Sequence, residues 1–430
     1  MNRVLRRGAF RTLLVGQGVS ALGDWMGTFA FIALVYQQSG SPTAVGGILA
    51  LRLLPAALGG PLAARAASKW DRRKTMVSMD VLRAGMIALV PLIRGLWWVY
   101  LWAFMVEVAS LVFLPARDAS IPDLVDDDDL PVANGLVLGS SYATIPIGAA
   151  VYAMIAALPG SEIFGRQLAT VFWVDGATFV FSALLIGRLT VLSRPVARAS
   201  EPAGDASEPP VRFRDAFHIP LVRAVMPATI AVALGLGALF SLGIEFVRKV
   251  LHASNAEFGV LIALFGIGAV AGLGLLQRFR ELDKLRATQV GVLAVGIIVA
   301  LFSLSPVTWL AFLGAAGFGA AAAWTLASGM GVLQSRLDGQ DRIIAFAAFH
   351  IVIRSGLALA AVGAGAAGQF VGDVHWPVVG MLEPSRLVLL CSGILVVLSA
   401  ARVRLTPAGS TAAPRDSSPR PDARPQPESA

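Results

Sequence analysis

The stretch AVMPATIAVALGLGALFSLGIEFV, residues 224–247, carries one charged side chain, Glu245. At about 1.5 Å of rise per helical residue it is long enough to cross a hydrocarbon layer about 30 Å thick. Runs of the same kind fill almost the whole 430-residue chain, each ended by Gly, Pro or a charge cluster. They predict helices near 11–37, 43–67, 75–94, 96–116, 131–158 and 168–189, then near 224–247, 256–277, 287–305, 308–334, 343–371 and 385–403. With 56% hydrophobic and 14% charged residues and a mean hydropathy of +0.72, the chain has too little polar surface to cover a water-soluble body of this size. No water reaches the bilayer core, so each span must satisfy its own backbone, and runs without two-residue alternation do so as helices. The expected fold is an all-α membrane protein with 12 transmembrane helices in two six-helix bundles.

Composition shifts set the boundaries. Residues 1–189 form the N-terminal bundle and 224–404 the C-terminal one. The interval 190–223, with Pro195, Pro202, Pro209 and Pro210 among Ser, Glu, Asp and Arg, buries too little apolar area to order itself and reads as a cytoplasmic linker. The Pro-, Ser- and Arg-rich stretch 405–430 reads as a disordered cytoplasmic tail. Basic residues of the short loops (Arg3, Arg6 and Arg7; Arg72, Arg73 and Lys74; Arg278 and Lys284; Arg336 and Arg342) gather on one side, which the positive-inside rule makes the cytoplasm. An even span count places both termini there. The run Phe10 to Tyr36 is too long for a secretory h-region and is read as an uncleaved first helix. The net charge of +8 follows from these loops, so nucleic acid is not an expected partner. Cys391, the one cysteine, reads as a packing residue of the last span.

Certain segments resemble a known family. Gly16-Gln17-Gly18-Val19-Ser20-Ala21-Leu22-Gly23-Asp24, and Pro115-Ala116-Arg117 through Ile121-Pro122-Asp123-Leu124-Val125 to Ala133-Asn134-Gly135, are similar to macrolide-efflux-like and enterobactin-exporter-like members of the major facilitator superfamily. The resemblance covers about residues 10–403. It implies inverted three-helix repeats around a midplane site, with helices one, four, seven and ten lining the cavity. It also implies a cytoplasmic gating loop, here Gly60, Lys69, Asp71, Arg72 and Arg73, in which Ser68 stands where the family usually has Asp. Either the gate is weaker for this or Asp71 serves instead. The family's glycine-rich antiporter motif is only partly matched by Ile145-Pro146-Ile147-Gly148-Ala149-Ala150.

An ionisable side chain inside a span costs about 2.5–3.5 kcal/mol on insertion scales, so it faces a protein-lined or wet interior. Asp24, Glu107, Arg52, Glu245, His350 and Arg354 are the resulting candidates for proton coupling or substrate binding. Glu107 is mid-span and reads either as a proton carrier or as the partner of Arg52; Asp24 has Arg52 or Arg354 as expected partners. Glu245, beside Arg248 and Lys249, is expected at a solvated outer interface. His350 and Arg354 share a helix face. Asp80 and Arg83, three apart, suit a local pair, and Asp175 reads as structural. Asp126-Asp127-Asp128-Asp129 precedes Pro131 at a helix start and reads as a capping group rather than a metal site. Trp25, Phe29, Phe104, Met105, Phe240 and Trp324 are candidate wall residues.

Walker, zinc-ligand and nucleophile-elbow patterns are missing, so neither a metal, a cofactor nor an enzymatic activity is expected. The resemblance implies a monomeric, proton-coupled exporter of a small amphipathic, drug-like or siderophore-like molecule in a bacterial plasma membrane. An uncoupled facilitator or importer of a polar solute, and a non-cycling sensor or assembly protein, are the alternatives.

Overall fold

The computed structural model describes residues 2–58, 70–126, 129–158, 168–192, 217–279, 281–337, 339–371, 374–376 and 380–400. The gating-loop residues Gly60, Ser68 and Lys69, most of the linker and the whole tail lie outside them, as does the side chain of His350.

The described residues are almost wholly helical, with α1 (Gly8–Ser39), α2 (Pro42–Leu58), α3 (Arg72–Leu89), α4 (Leu96–Asp118), α5 (Leu130–Ala157), α6 (Ala169–Gly187), α7 (Pro220–Glu245), α8 (Asn255–Arg278), α9 (Lys284–Ser303), α10 (Thr308–Arg336), α11 (Gly339–Phe370) and α12 (Pro384–Ala400). Among the described residues, ten helices are long and apolar enough to cross a membrane, and Pro42–Leu53 and Pro384–Ala400 are shorter apolar helices. A hairpin of β1 (Val374–Trp376) and β2 (Gly380–Leu382), antiparallel with His375 opposite Met381, joins α11 to α12.

Local chemistry explains the ends. Gly40 closes α1 in the left-handed region at φ 62°, its N–H donating to the Tyr36 carbonyl, a conformation that favours glycine. Ser254 and Glu257 form a reciprocal capping box at the start of α8. Asp283 accepts from the Leu285 and Arg286 amides at the start of α9. A five-residue π turn, Phe246–Val250, ends the α7 segment. On the outside, Trp97, Leu313, Leu359 and Phe370 are exposed, the surface expected of a body whose solvent is lipid.

Packing locates the opening. The end bearing the α1–α2 turn is here called the turn side, and the end where α1 begins the terminal side. On the turn side a single apolar core joins α1 and α6 (Phe29, Phe31, Phe172) to α7, α8 and α9 (Leu242, Phe246, Phe258, Phe302). On the terminal side there are two separate cores. One holds Phe10, Met76, Phe113 and Leu124 from the first helices, and the other Val225, Leu285, Phe318 and Phe349 from the later ones. The first and last six helices meet chiefly through α2 against α11 and α5 against α8. Close approaches there lie toward the turn side: Gly46 and Gly365 face the backbones of Ala361 and Pro42, and Thr43 donates to Gln369 at 2.8 Å. A cleft therefore runs inward from the terminal side.

Glycines allow the closest approaches within the later helices. A Cβ at Gly268 would meet the Ala316 carbonyl oxygen, and one at Gly272 that of Ala320, so α8 and α10 touch backbone to backbone. Gly268→Ala is expected to lower thermal stability by about 1–3 kcal/mol, the usual cost of overpacking, despite alanine's better helix propensity. Gly274→Ala, at a position with open space, serves as the control; equal melting temperatures of the two variants in detergent would contradict this packing.

Candidate functional site

The cleft ends in a cavity of about 380 Å³ lined from α1, α2, α3, α4, α5 and α11. Its polar wall includes Asp24, Arg52, Arg83, Glu107, Arg117 and Arg354. The charges are arranged in two linked pairs.

In the first, Arg52 of α2 reaches Glu107 of α4: its Nε and Nη2 lie 2.8 and 2.6 Å from Oε1. Its Nη1 donates to Thr28 Oγ1 at 2.7 Å, and Thr28 in turn donates to the Asp24 carbonyl. The guanidinium also lies over the Phe31 ring, 5.4 Å from its centroid. Arg52 thus ties α1, α2 and α4 together, and the expected partner of Glu107 is the one found.

In the second, Arg83 of α3 pairs with Asp80 on its own helix and stands 3.9 Å from Asp24 Oδ2. Phe113 and Phe179 hold the guanidinium between them, each ring centroid 4.4 Å away. The Asp24 partner is therefore Arg83, not Arg52 or Arg354 as the sequence suggested. Helix rotation decides this, because α3 turns its Asp80 and Arg83 face toward α1 and α4 rather than toward a loop. Both residues are buried in mid-helix, a position that two charges in one apolar run already signal.

Other candidates fall elsewhere. Arg354 of α11 reaches the cavity from the later helices. Glu245 does not sit at a solvated interface: it is buried, and Lys249 Nζ donates to its Oε1 at 2.7 Å. The π turn after it and the packing of α7 against α11 enclose the carboxylate that the neighbouring cations suggested would be wet. Of the proposed wall residues, Trp25 lines the cavity, with its Nε1 donating to the Ser141 carbonyl. Phe29 is packed in the turn-side core, Phe240 meets Phe265 edge to face, and Trp324 is buried with its Nε1 donating to the Ala287 carbonyl. Phe104 and Met105 are not among the lining residues. Cys391 is exposed rather than packed.

The basic loop makes contacts of its own. Asp71 accepts from the Lys74 amide and caps α3, so it is used locally. Arg72 donates to Asp123 and to the Ala119 carbonyl at 2.5 and 2.7 Å, and Arg73 donates to the Gly187 carbonyl. This ties the start of α3 to the ends of α4 and α6 on the terminal side. Of the described aspartates of the acidic run, neither caps the helix as expected: the Asp129 side chain makes no capping bond, Arg7 and Arg3 pair with Asp126, and Arg3 lies 3.4 Å from Asp129. The basic N-terminal turn competes successfully for these carboxylates. Asp127 and Asp128 lie outside the described residues.

A helical membrane body with a charged cavity at the junction of its first and last helices is the arrangement of a solute transporter. The chain belongs to the major facilitator superfamily, whose family model matches residues 13–246; its members are transporters rather than enzymes, and this is a multi-pass membrane protein. It is similar to the uncharacterised MFS-type transporter YjbB of Bacillus subtilis (strain 168), 26% identical over 321 residues, covering 71% of this chain and 76% of that one. It is also similar to macrolide efflux protein A of Streptococcus pyogenes, 24% identical over 173 residues, covering 38% of this chain and 43% of the relative. Among solved structures, a bacterial homologue of the human lysosomal transporter Spinster, inward-facing and unoccupied, shares the fold with a TM-score of 0.72 and 16% identity, covering 92% of this chain and 95% of that one.

Proposed function

We propose that this protein is a proton-coupled secondary transporter that exports a small amphipathic molecule of the drug-like or siderophore-like class by alternating access. In this reading 12 spans form two six-helix bundles, 1–189 and 224–404, joined by the linker 190–223, with both termini and the tail 405–430 cytoplasmic. A monomer in a bacterial plasma membrane suffices. The terminal side is then the cytoplasm, and the described state is open inward.

The observation that carries the reading is the junction cavity in which Asp24 and Glu107 face Arg52 and Arg83 beneath an apolar core continuous across the turn side. Two carboxyls on the cargo route supply groups able to bind a proton, and guanidiniums whose partners change as the bundles rock supply the coupling. The likeness to macrolide efflux protein A favours export and an amphipathic cargo. Each charge moved through a potential of about 100 mV yields about 2.3 kcal/mol, roughly a fifty-fold concentration ratio.

The test is uptake of a radiolabelled macrolide into inside-out vesicles from cells overproducing the chain. Acidifying the vesicle interior is expected to raise uptake at least tenfold over vesicles without a pH gradient, and a protonophore to abolish the rise. Uptake indifferent to the gradient would favour an uncoupled facilitator. Binding without flux would favour a non-cycling sensor.

A further inference from the structure

The carboxyl of Asp175, in the middle of α6, is turned away from the cavity and into the α1–α6 contact. Its residue is 1% exposed, its Oδ1 has no hydrogen-bond partner, and it forms no ion pair among the described residues. It rests on bare backbone, since a Cβ at Gly27 would collide with its Oδ2 and one at Gly23 with its Oδ1 and the Thr178 hydroxyl. The charged groups around it are Asp24 on α1, Arg52 on α2, and Arg83 on α3; α5, which touches the edge of α6, carries no charged side chain.

Charge balance makes the position informative. Among the described residues of α1–α6, the cluster contains the carboxyls of Asp24, Asp80, Glu107 and Asp175 but the guanidiniums of Arg52 and Arg83 alone, since Arg117 of the cavity wall is taken by Asp118. Glu107 takes Arg52, and Asp80 takes Arg83 with Asp24 at its far edge. Asp175 is left buried and without a paired cation among the described residues, and an unpaired buried carboxylate is far costlier than the same group as a neutral acid. We propose that Asp175 is a proton-binding site of this transporter, loaded while α1 lies against α6. Its slot is closed by the glycine face of α1, so the proton leaves only when that face slides and admits water. The carboxyl O–H bond then breaks, the proton passes to cavity water, and the carboxylate left behind gains access to Arg83. Proton release and α1 movement become one event, which extends the proton-coupled reading above and rests on it for its role in transport.

The experiment is infrared spectroscopy of the purified full-length chain in lipid nanodiscs at neutral pH, read without cargo. A carbonyl stretch from a protonated carboxylic acid is expected, lost in Asp175→Asn and retained in Glu107→Gln. A band unchanged in Asp175→Asn, or no band in the parent chain, would overturn the proposal. If Asp175→Asn does not insert, the parent chain labelled with ¹³C at aspartate carboxyls serves instead. The band must then shift on labelling and persist in labelled Asp24→Asn, and failure of either sinks the idea. Because the band needs no flux, a transporter indifferent to pH gradients would end the proton-coupled reading while leaving this site assignment to stand or fall by its own signal.

Discussion

Arg52→Ala is expected to be the most damaging single substitution in the cavity. It removes the partner of Glu107, whose side chain is 26% exposed, together with the donor to Thr28 that holds α1 against α2. Removing one member of a buried pair typically costs about 3–5 kcal/mol, because the other charge stays behind uncompensated. A fall in the melting temperature in detergent and at least a tenfold loss of macrolide uptake should appear together. Arg52→Ala combined with Glu107→Gln removes the orphaned charge, so it should recover most of the stability but not the uptake. Equal melting temperatures of the single and double variants would show that the pair contributes nothing to the fold.

Asp24→Asn should separate energy coupling from transport. Asn keeps the shape of the side chain while losing the charge that stands 3.9 Å from Arg83, and the Asp24 side chain is part of the cavity lining. Accumulation driven by an imposed pH gradient is expected to fall at least tenfold, while exchange of labelled for unlabelled macrolide, which needs no net proton movement, persists. The pH dependence should flatten for the same reason, since the variant is neutral throughout at the position proposed to take up and release the proton. If gradient-driven accumulation in Asp24→Asn matches the parent chain, Asp24 is not a coupling residue.

The fold was legible because lipid imposes a simple rule: the apolar run must be as long as the bilayer is thick, and this rule places α4 and α8 within two residues of their observed ends and α1 and α7 within four. The pair Arg52–Glu107 was legible too, since two opposite charges at mid-span have few other places to go. The Asp24–Arg83 contact was not. Spacing along α3 links Arg83 to Asp80, but which face of α3 meets α1 depends on packing that no local pattern records. Glu245 misled for a related reason: its neighbours Arg248 and Lys249 suggested water, whereas Lys249 pairs with it and the packing of α7 against α11 leaves the carboxyl enclosed. Asp175 looked structural because its sequence neighbourhood is uniformly apolar; its isolation appears only when Gly23 and Gly27 of α1 are set against it.

Cargo and protons are proposed to cross in opposite directions through the cavity of Asp24, Arg52, Arg83 and Glu107. The most direct measurement uses the purified chain in proteoliposomes with an entrapped pH dye, where an outward macrolide gradient is imposed with no starting pH difference. Internal acidification is expected to track macrolide exit and to disappear in Asp24→Asn. Macrolide leaving with no change in internal pH, or the same acidification in the variant, would contradict this proposal.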